Sequence, residues 1–445
     1  MPAPQPNLSP LYGAAFGFNT DRRVKPVHFA SGFLLSLTGL NYPQKTLNYT
    51  VASSSKNEPE GNYKLDKLKE HLSEQNSIST SLSESDLHKI RKHLEAVSDN
   101  DDAVFAIFGS KGGFGSDYSI SSHDLISRMK DNDGFSGQFV KAILDSSLDG
   151  KKVLECVRAW LNQNFSTGRL LLNPLINQEV REENLEDRAS AKLGELSSNR
   201  KVSISNLMQS ETRAVLRLCQ NVDPMSIEIK LRFIIIILSC WLIAYIRKKS
   251  CIELQDPLIL LTDMSNGESK KMREQSRWSY SRFREELAES FKNMAANGDF
   301  SECETQWNWI SENKDGKPKV EEFYREILIR NGLAQPRASR VAAKHFELQP
   351  DTLHALTLSV LNKNEGLVDL PVYLDRLFET WSICFGGRSN DSDLLAKSGY
   401  TGLDRDRDLT PNMQGLESLL SDLGLATRYS DGLVMCHCTP NFDNQ

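Results

Sequence analysis

Between Ser269 and Arg284 the chain reads SKKMREQSRWSYSRFR, six basic side chains against one acid, Glu274. Wound as a helix, this segment sets Lys270, Arg273, Arg277 and Arg284 on one stripe and turns Met272, Phe283, Leu287 and Phe291 to another. The basic stripe, with Lys271 and Arg282 beside it, suits a phosphate backbone, and Trp278 and Tyr280 are of the type that stacks on exposed bases. The plain alternative is a solvated face whose cations pair with the acids of 285–289. Arg337 and Arg340 extend the patch if the fold brings them near.

A second chemical candidate is Val104 to Ser116 (VFAIFGSKGGFGS), an apolar run entering a glycine-rich loop at 109–116. Backbone amides around Lys111, Gly112, Gly113, Gly115 and Ser116 can cradle a phosphate. The run resembles the deviant phosphate-binding loop of partition ATPases, where lysine-glycine-glycine opens the loop and a second lysine closes it. Here the second lysine is missing, and Asp117 follows Ser116 directly. In the same scheme Pro257 to Asp263 (PLILLTD) supplies a magnesium-binding strand end. A degenerate nucleotide-binding enzyme is therefore the alternative function, and a flexible glycine turn is the preferred reading.

Other reactive types are dispersed. Cys436-His437-Cys438 lacks the further ligands that a tetrahedral zinc site needs, and strand alternation sets the two cysteines on one face and the histidine on the other. His88, His93, His123, His345 and His354 have no acidic or nucleophilic companion in a recognisable pattern. Asp404 to Asp408 (DRDRD) alternates in sign, which reads as solvation and local pairing. No metal, no cofactor and no catalytic residue is expected.

The elements that would position these groups are mainly helical. Residues 8–50 suggest an ordered unit of short strands or a short helix, and 51–86 a polar linker containing a charged helix. Residues 87–317 form a helical middle domain, with Phe139, Ile143, Leu144, Val153, Val157, Trp160 and Leu161 at helical spacing. Its centre is a helix over 231–246, whose apolar run Phe233 to Ile246 is shorter than the roughly twenty residues a bilayer requires. A core helix is expected there and no membrane contact.

Residues 318–445 carry the clearest signal. Pro350 and Leu370-Pro371 open two helices, and Gly386-Gly387 ends the second. A third runs over 410–423, with Thr410 as cap, Pro411 in the first turn and Gly424 as the stop. Leu425 to His437 then reads as a β-hairpin, with a two-residue type I′ turn at Asp431-Gly432. Three helices and a ribbon make a winged-helix inventory, so the expected architecture is a mainly α, multi-domain helical protein with a C-terminal winged-helix module.

Charge qualifies that module. Residues 321–445 hold 12 basic and 18 acidic side chains, whereas 1–320 hold 41 of each. A winged helix binding DNA unaided carries a basic footprint, so this one suits protein docking at least as well. At 445 residues, 39% hydrophobic and 25% charged, the chain has ordinary globular composition and length for several domains. Its eight scattered cysteines and neutral, proline-rich start suggest a reduced, cytoplasmic protein without a signal peptide.

Two stretches, Leu377 to Gly387 (LFETWSICFGG) and Leu423 to Met435 (LGLATRYSDGLVM), resemble the ends of accessory proteins from bacterial anti-phage clusters. The nearest are the phosphorothioation-dependent restriction accessory proteins of the G type and components of methylation-associated defence systems. The resemblance covers the last quarter to half of the chain and brings no catalytic motif with it. It implies a cytoplasmic subunit beside an ATP-dependent translocase or nuclease acting on foreign DNA. The expected function is thus a non-enzymatic scaffold or DNA-contacting subunit of a defence complex, with other subunits and duplex DNA as partners.

Overall fold

The computed structural model describes residues 9–17, 26–37, 66, 135–164, 204–250, 259–298, 301–312, 325, 327–336 and 343–438. Helices take 69% of the described residues and no strand exceeds three, so the protein is mainly α. It divides into two compact units, Met1–Asn206 and Leu207–Gln445. The boundary drawn from composition at 317–318 falls inside the second unit.

The first unit contains α1 (Ser9–Phe16), α2 (Pro26–Leu37), α3 (Phe135–Asp145) and α4 (Leu148–Asn164). The N-terminal segment expected as short strands or a short helix is helical in both its described pieces. Phe29, Phe33 and Leu34 of α2, Phe139, Ile143 and Leu144 of α3, and Val153, Val157, Trp160 and Leu161 of α4 are all buried, as their spacing requires. A Cβ on Gly150 would lie 2.0 Å from Leu144 O, so the tight α3–α4 turn needs glycine there.

The second unit is built around α5 (Gln209–Val222) and α6 (Ile227–Ser250). Every side chain from Phe233 to Ile246 is buried, each isoleucine contributing roughly 1.5–3 kcal/mol through removal from water. Ile229–Lys249 is long and apolar enough to cross a membrane, yet 83% of its apolar window is buried inside the protein. Its neighbours are α5 and α9 (Pro350–Val360), so it serves as a core helix. Lys248 in its basic last turn pairs with the buried carboxylate of Glu211 at 2.6 Å.

Four short strands form a platform in this unit. β1 (Leu260–Leu261) pairs in parallel with β5 (Ile383–Cys384), and Thr262 bridges in parallel to Phe346 of β3 (His345–Phe346). β3 pairs antiparallel with β2 (Ala334–Gln335). The 27-residue α7 (Lys270–Ala296) lies on this platform with Met272, Tyr280, Phe283 and Phe291 buried. Its small serines bond to the strands directly: Ser276 Oγ accepts from Phe346 N at 3.0 Å, and Ser279 Oγ accepts from Leu261 N at 3.1 Å. A further helix, α8 (Glu304–Glu312), follows.

Beyond α9 come β4 (Val368–Asp369), α10 (Leu370–Trp381), α11 (Asp391–Lys397), α12 (Thr410–Asp422) and the hairpin β6 (Ala426–Arg428) and β7 (Val434–Cys436). β7 is central, flanked antiparallel by β6 and β4, with Val368 opposite Cys436. Three local expectations change here. α10 stops before the glycine pair, because Ser382 turns left-handed at φ 57° and releases Ile383-Cys384 to pair with β1.

Thr410 is no cap, since it is already helical at φ −64° and ψ −48° behind a π-helical turn, Arg405–Leu409. Capping moves upstream to Asp404, whose Oδ1 accepts the amides of Asp406 and Arg407 at 3.0 and 2.9 Å. Gly424 does end α12 at φ 66°. The hairpin closes through three residues, Ser430 to Gly432, instead of two. Gly432 N donates to Tyr429 O at 3.0 Å, Tyr429 N donates to Leu433 O at 2.8 Å, and of the loop only Gly432 has positive φ.

Candidate nucleic-acid interface

α7 begins where Ser269, extended at φ −107°, accepts from Met272 N with its hydroxyl oxygen at 2.9 Å. The same hydroxyl donates to Asp408 Oδ1 at 2.5 Å, which fastens the first turn of α7 to the turn preceding α12. Asn412 makes a second fastening: Nδ2 donates to Thr262 O at 3.0 Å and Phe385 O at 2.8 Å, across the ends of β1 and β5. The N-terminus of the basic helix and that of α12 are therefore held in one framework.

The eight residues singled out on α7 separate into three groups. Lys270 and Arg277 are exposed and, among the described residues, form no ion pair. Seven residues apart, they lie about 10.5 Å along one face. Lys271 is half-buried and pairs with Glu274 at 3.3 Å.

The second group is tied down. Arg273 Nε meets Asp263 Oδ2 at 2.9 Å, and its Nη2 lies 3.8 Å from Glu347 Oε2. Arg282 Nε meets Glu286 Oε1 at 2.7 Å, and its Nη1 donates to Ser398 O. Arg284 is half-buried.

The aromatics form the third group, and they diverge. Tyr280 is fully buried against Phe346, ring centroids 5.4 Å apart, so it is a core residue and not a base-stacking one. Trp278 is 39% exposed, edge-on to Tyr400 and beneath the Arg282 guanidinium, 5.5 Å from the ring centroid. Only Trp278 keeps the accessibility that stacking needs.

In the alternative nucleotide scheme Asp263 is the magnesium ligand. Asp263 follows β1 as expected, but Oδ1 accepts from Ser265 N at 2.9 Å and Ser265 Oγ at 2.6 Å, and Oδ2 faces Arg273. Its carboxylate closes a loop. The glycine loop 109–116, with Lys111, Gly112, Gly113, Gly115 and Ser116, lies outside the described residues, as do Arg337, Arg340, His88, His93 and His123.

The remaining candidates have structural partners. His345 Nε2 is 3.0 Å from Glu347 Oε2, His437 Nε2 is 3.3 Å from Thr427 Oγ1, and His354 packs on Phe233 with ring centroids 4.9 Å apart. Cys438 Sγ accepts from Asn221 Nδ2 at 3.6 Å, and burial pushes the Cys436 and Cys438 thiols up to about 12. Among the described residues no three His, Cys, Asp or Glu side chains cluster as metal ligands would.

Sequence reasoning missed the partners of the basic stripe. Asp263, Glu347, Ser398 and Asp408 come from three separate segments, and only β1, β3 and the α11–α12 connection bring them to α7. Compared with known proteins, the chain matches no family model, no curated sequence and no solved structure.

Proposed function

We propose that this protein is a non-enzymatic, cytoplasmic scaffold subunit of a bacterial anti-phage complex of restriction type. Residues 350–438 are read as a winged-helix module that docks on a partner subunit, such as an ATP-dependent translocase or nuclease. The outward edge of α7 meets duplex DNA. The order α9, β4, α10, β5, α11, α12 and hairpin, with β4 against β7, supports the winged-helix reading. The defence assignment draws on the resemblance of 377–387 and 423–435.

One observation carries the division of labour. In a DNA-binding winged helix the helix before the hairpin enters the groove, and here that helix is α12, which contains no lysine or arginine. Its exposed side chains are Thr410, Gln414, Ser418, Ser421 and Asp422. Such a face brings no phosphate-neutralising charge. At the hairpin tip, Tyr429 and Leu433 are 43% and 46% exposed, the apolar character of a protein contact. On α7, by contrast, Lys270 and Arg277 are exposed cations.

The test is duplex-DNA binding by the full chain across a salt series, comparing wild type with K270A/R277A and with Q414A/S418A. Salt-dependent binding that K270A/R277A weakens and Q414A/S418A leaves intact is the expected result. Loss of binding in Q414A/S418A would make α12 a groove-reading helix and overturn the assignment. Absence of binding in the wild type would remove DNA from the proposal and leave docking alone.

A further inference from the structure

We infer that Arg405 and Arg407 join Lys270 and Arg277 in one surface for the phosphate backbone of duplex DNA, built from two segments far apart in sequence. This rests on the reading of α7 given above and extends it to residues whose alternating signs suggest mere self-neutralisation. The geometry separates those signs. Asp404 Oδ1 is held by the amides of Asp406 and Arg407. Asp408 is buried, its Oδ2 accepting from Asp404 N at 2.8 Å and its Oδ1 from Ser269 Oγ at 2.5 Å. Asp408 thus faces the start of α7, while the exposed Asp404 turns one carboxylate oxygen to its own turn.

Arg405 and Arg407 are exposed and, among the described residues, form no ion pair. The Ser269–Asp408 bond sets them beside the basic helix, because Lys270 follows Ser269 and Arg407 precedes Asp408, each one residue from that bond. A second contact agrees: a Cβ on Gly402 would lie 3.1 Å from Lys271 Cε. Lys270 and Arg407 therefore flank one hydrogen bond between two segments, with Arg277 and Arg405 further along each.

Outward acids are present too: Glu268, Asp404, Asp406, and Glu274, which Lys271 engages. Carboxylates on short side chains stay close to the backbone, whereas arginine reaches past them and offers a planar fork that matches phosphate oxygens. An approaching backbone meets guanidinium groups first. Asp406, between the two arginines, opposes that encounter, so its removal has an expected direction.

The experiment uses the full chain and a labelled duplex over 50–200 mM salt. If the two arginines neutralise phosphates, R405A/R407A weakens binding and flattens the slope of log K against log salt by about 1.8, so the wild type loses about tenfold more affinity across that range than the variant does. D406N tightens binding. Thermal unfolding midpoints stay at the wild-type value, since neither arginine holds the fold. Wild-type affinity and slope in R405A/R407A, with K270A/R277A weakened, would overturn this inference and leave α7 as the contact. A wild type that does not bind duplex DNA at all would overturn both.

Discussion

Arg273 Nε lies 2.9 Å from Oδ2 of Asp263, whose side chain is wholly buried, and this pair decides what each residue is for. The arginine orients α7 on the platform, and the carboxylate closes the loop after β1. D263A leaves Ser265 and Arg273 without their acceptor. Hydrogen bonds to a charged group contribute about 1.5–3 kcal/mol, so a loss of roughly that size is expected in urea unfolding. A stability unchanged from wild type would return Asp263 to the list of groups free for chemistry.

Tyr280 and Trp278 should separate cleanly by substitution. Removing the buried Tyr280 ring opens a cavity beside Phe346 and Phe283, and Y280A is expected to cost roughly 3–5 kcal/mol. W278A removes a ring that is 39% exposed and should cost much less. Chemical denaturation of both variants is the check. Equal losses would mean that Trp278 is as much a core residue as Tyr280.

The helical elements were legible because each depends on spacing within one segment. The apolar stripe Met272, Phe283, Phe291 and the long run of α6 announce buried faces, and Gly424 announces a helix end. What escaped was long-range. Cys384 reads as the tail of a helix until β1, more than a hundred residues earlier, offers it a strand to pair with. Asp404 to Asp408 reads as solvated until Ser269 Oγ donates to Asp408 and holds that acid in the interior. Thr410 has the chemistry of a cap, and only the preceding π-helical turn takes that role away.

Gly415 has a stated steric reason to be glycine. A Cβ there would lie 1.8 Å from Met264 O, a backbone atom that cannot swing aside. G415A must push α12 off the loop after β1 and strain the contact between Met264 N and Asn412 Oδ1. Overpacking costs about 1–3 kcal/mol, and the upper end is expected where the obstacle is backbone. Gly432 is the comparison, with open space around it and φ at 86°. There G432A should cost roughly 1–2 kcal/mol from backbone conformation alone. Urea midpoints for the two variants test the order.

Thiol reactivity should follow burial. The thiols of Cys240, Cys436 and Cys438 are pushed up to about 12, chiefly by burial, so little thiolate forms at pH 8. Iodoacetamide should modify them only on unfolding, while Cys156, half-buried, reacts first among the described cysteines. Rapid native modification of Cys436 would show that the hairpin opens.

His354 gives stability a pH dependence whose direction follows from its packing. Burial beside Phe233 holds the imidazole below its usual range, and the Asp351 carboxylate opposes that shift. As pH falls below about 6.5, the unfolded chain takes up a proton that the folded chain resists. The stability linked to this site is therefore complete above about 6.5 and declines with acidification, by at most about 1.4 kcal/mol per pH unit. H354Q stays neutral throughout and lacks this term. The gap in urea midpoint between wild type and H354Q should accordingly move in the variant's favour between pH 7.5 and 5.5. Carboxylates that titrate in the same acid range affect both proteins alike and cancel in the difference. A gap that does not change with pH would mean that His354 accepts its proton equally well folded and unfolded.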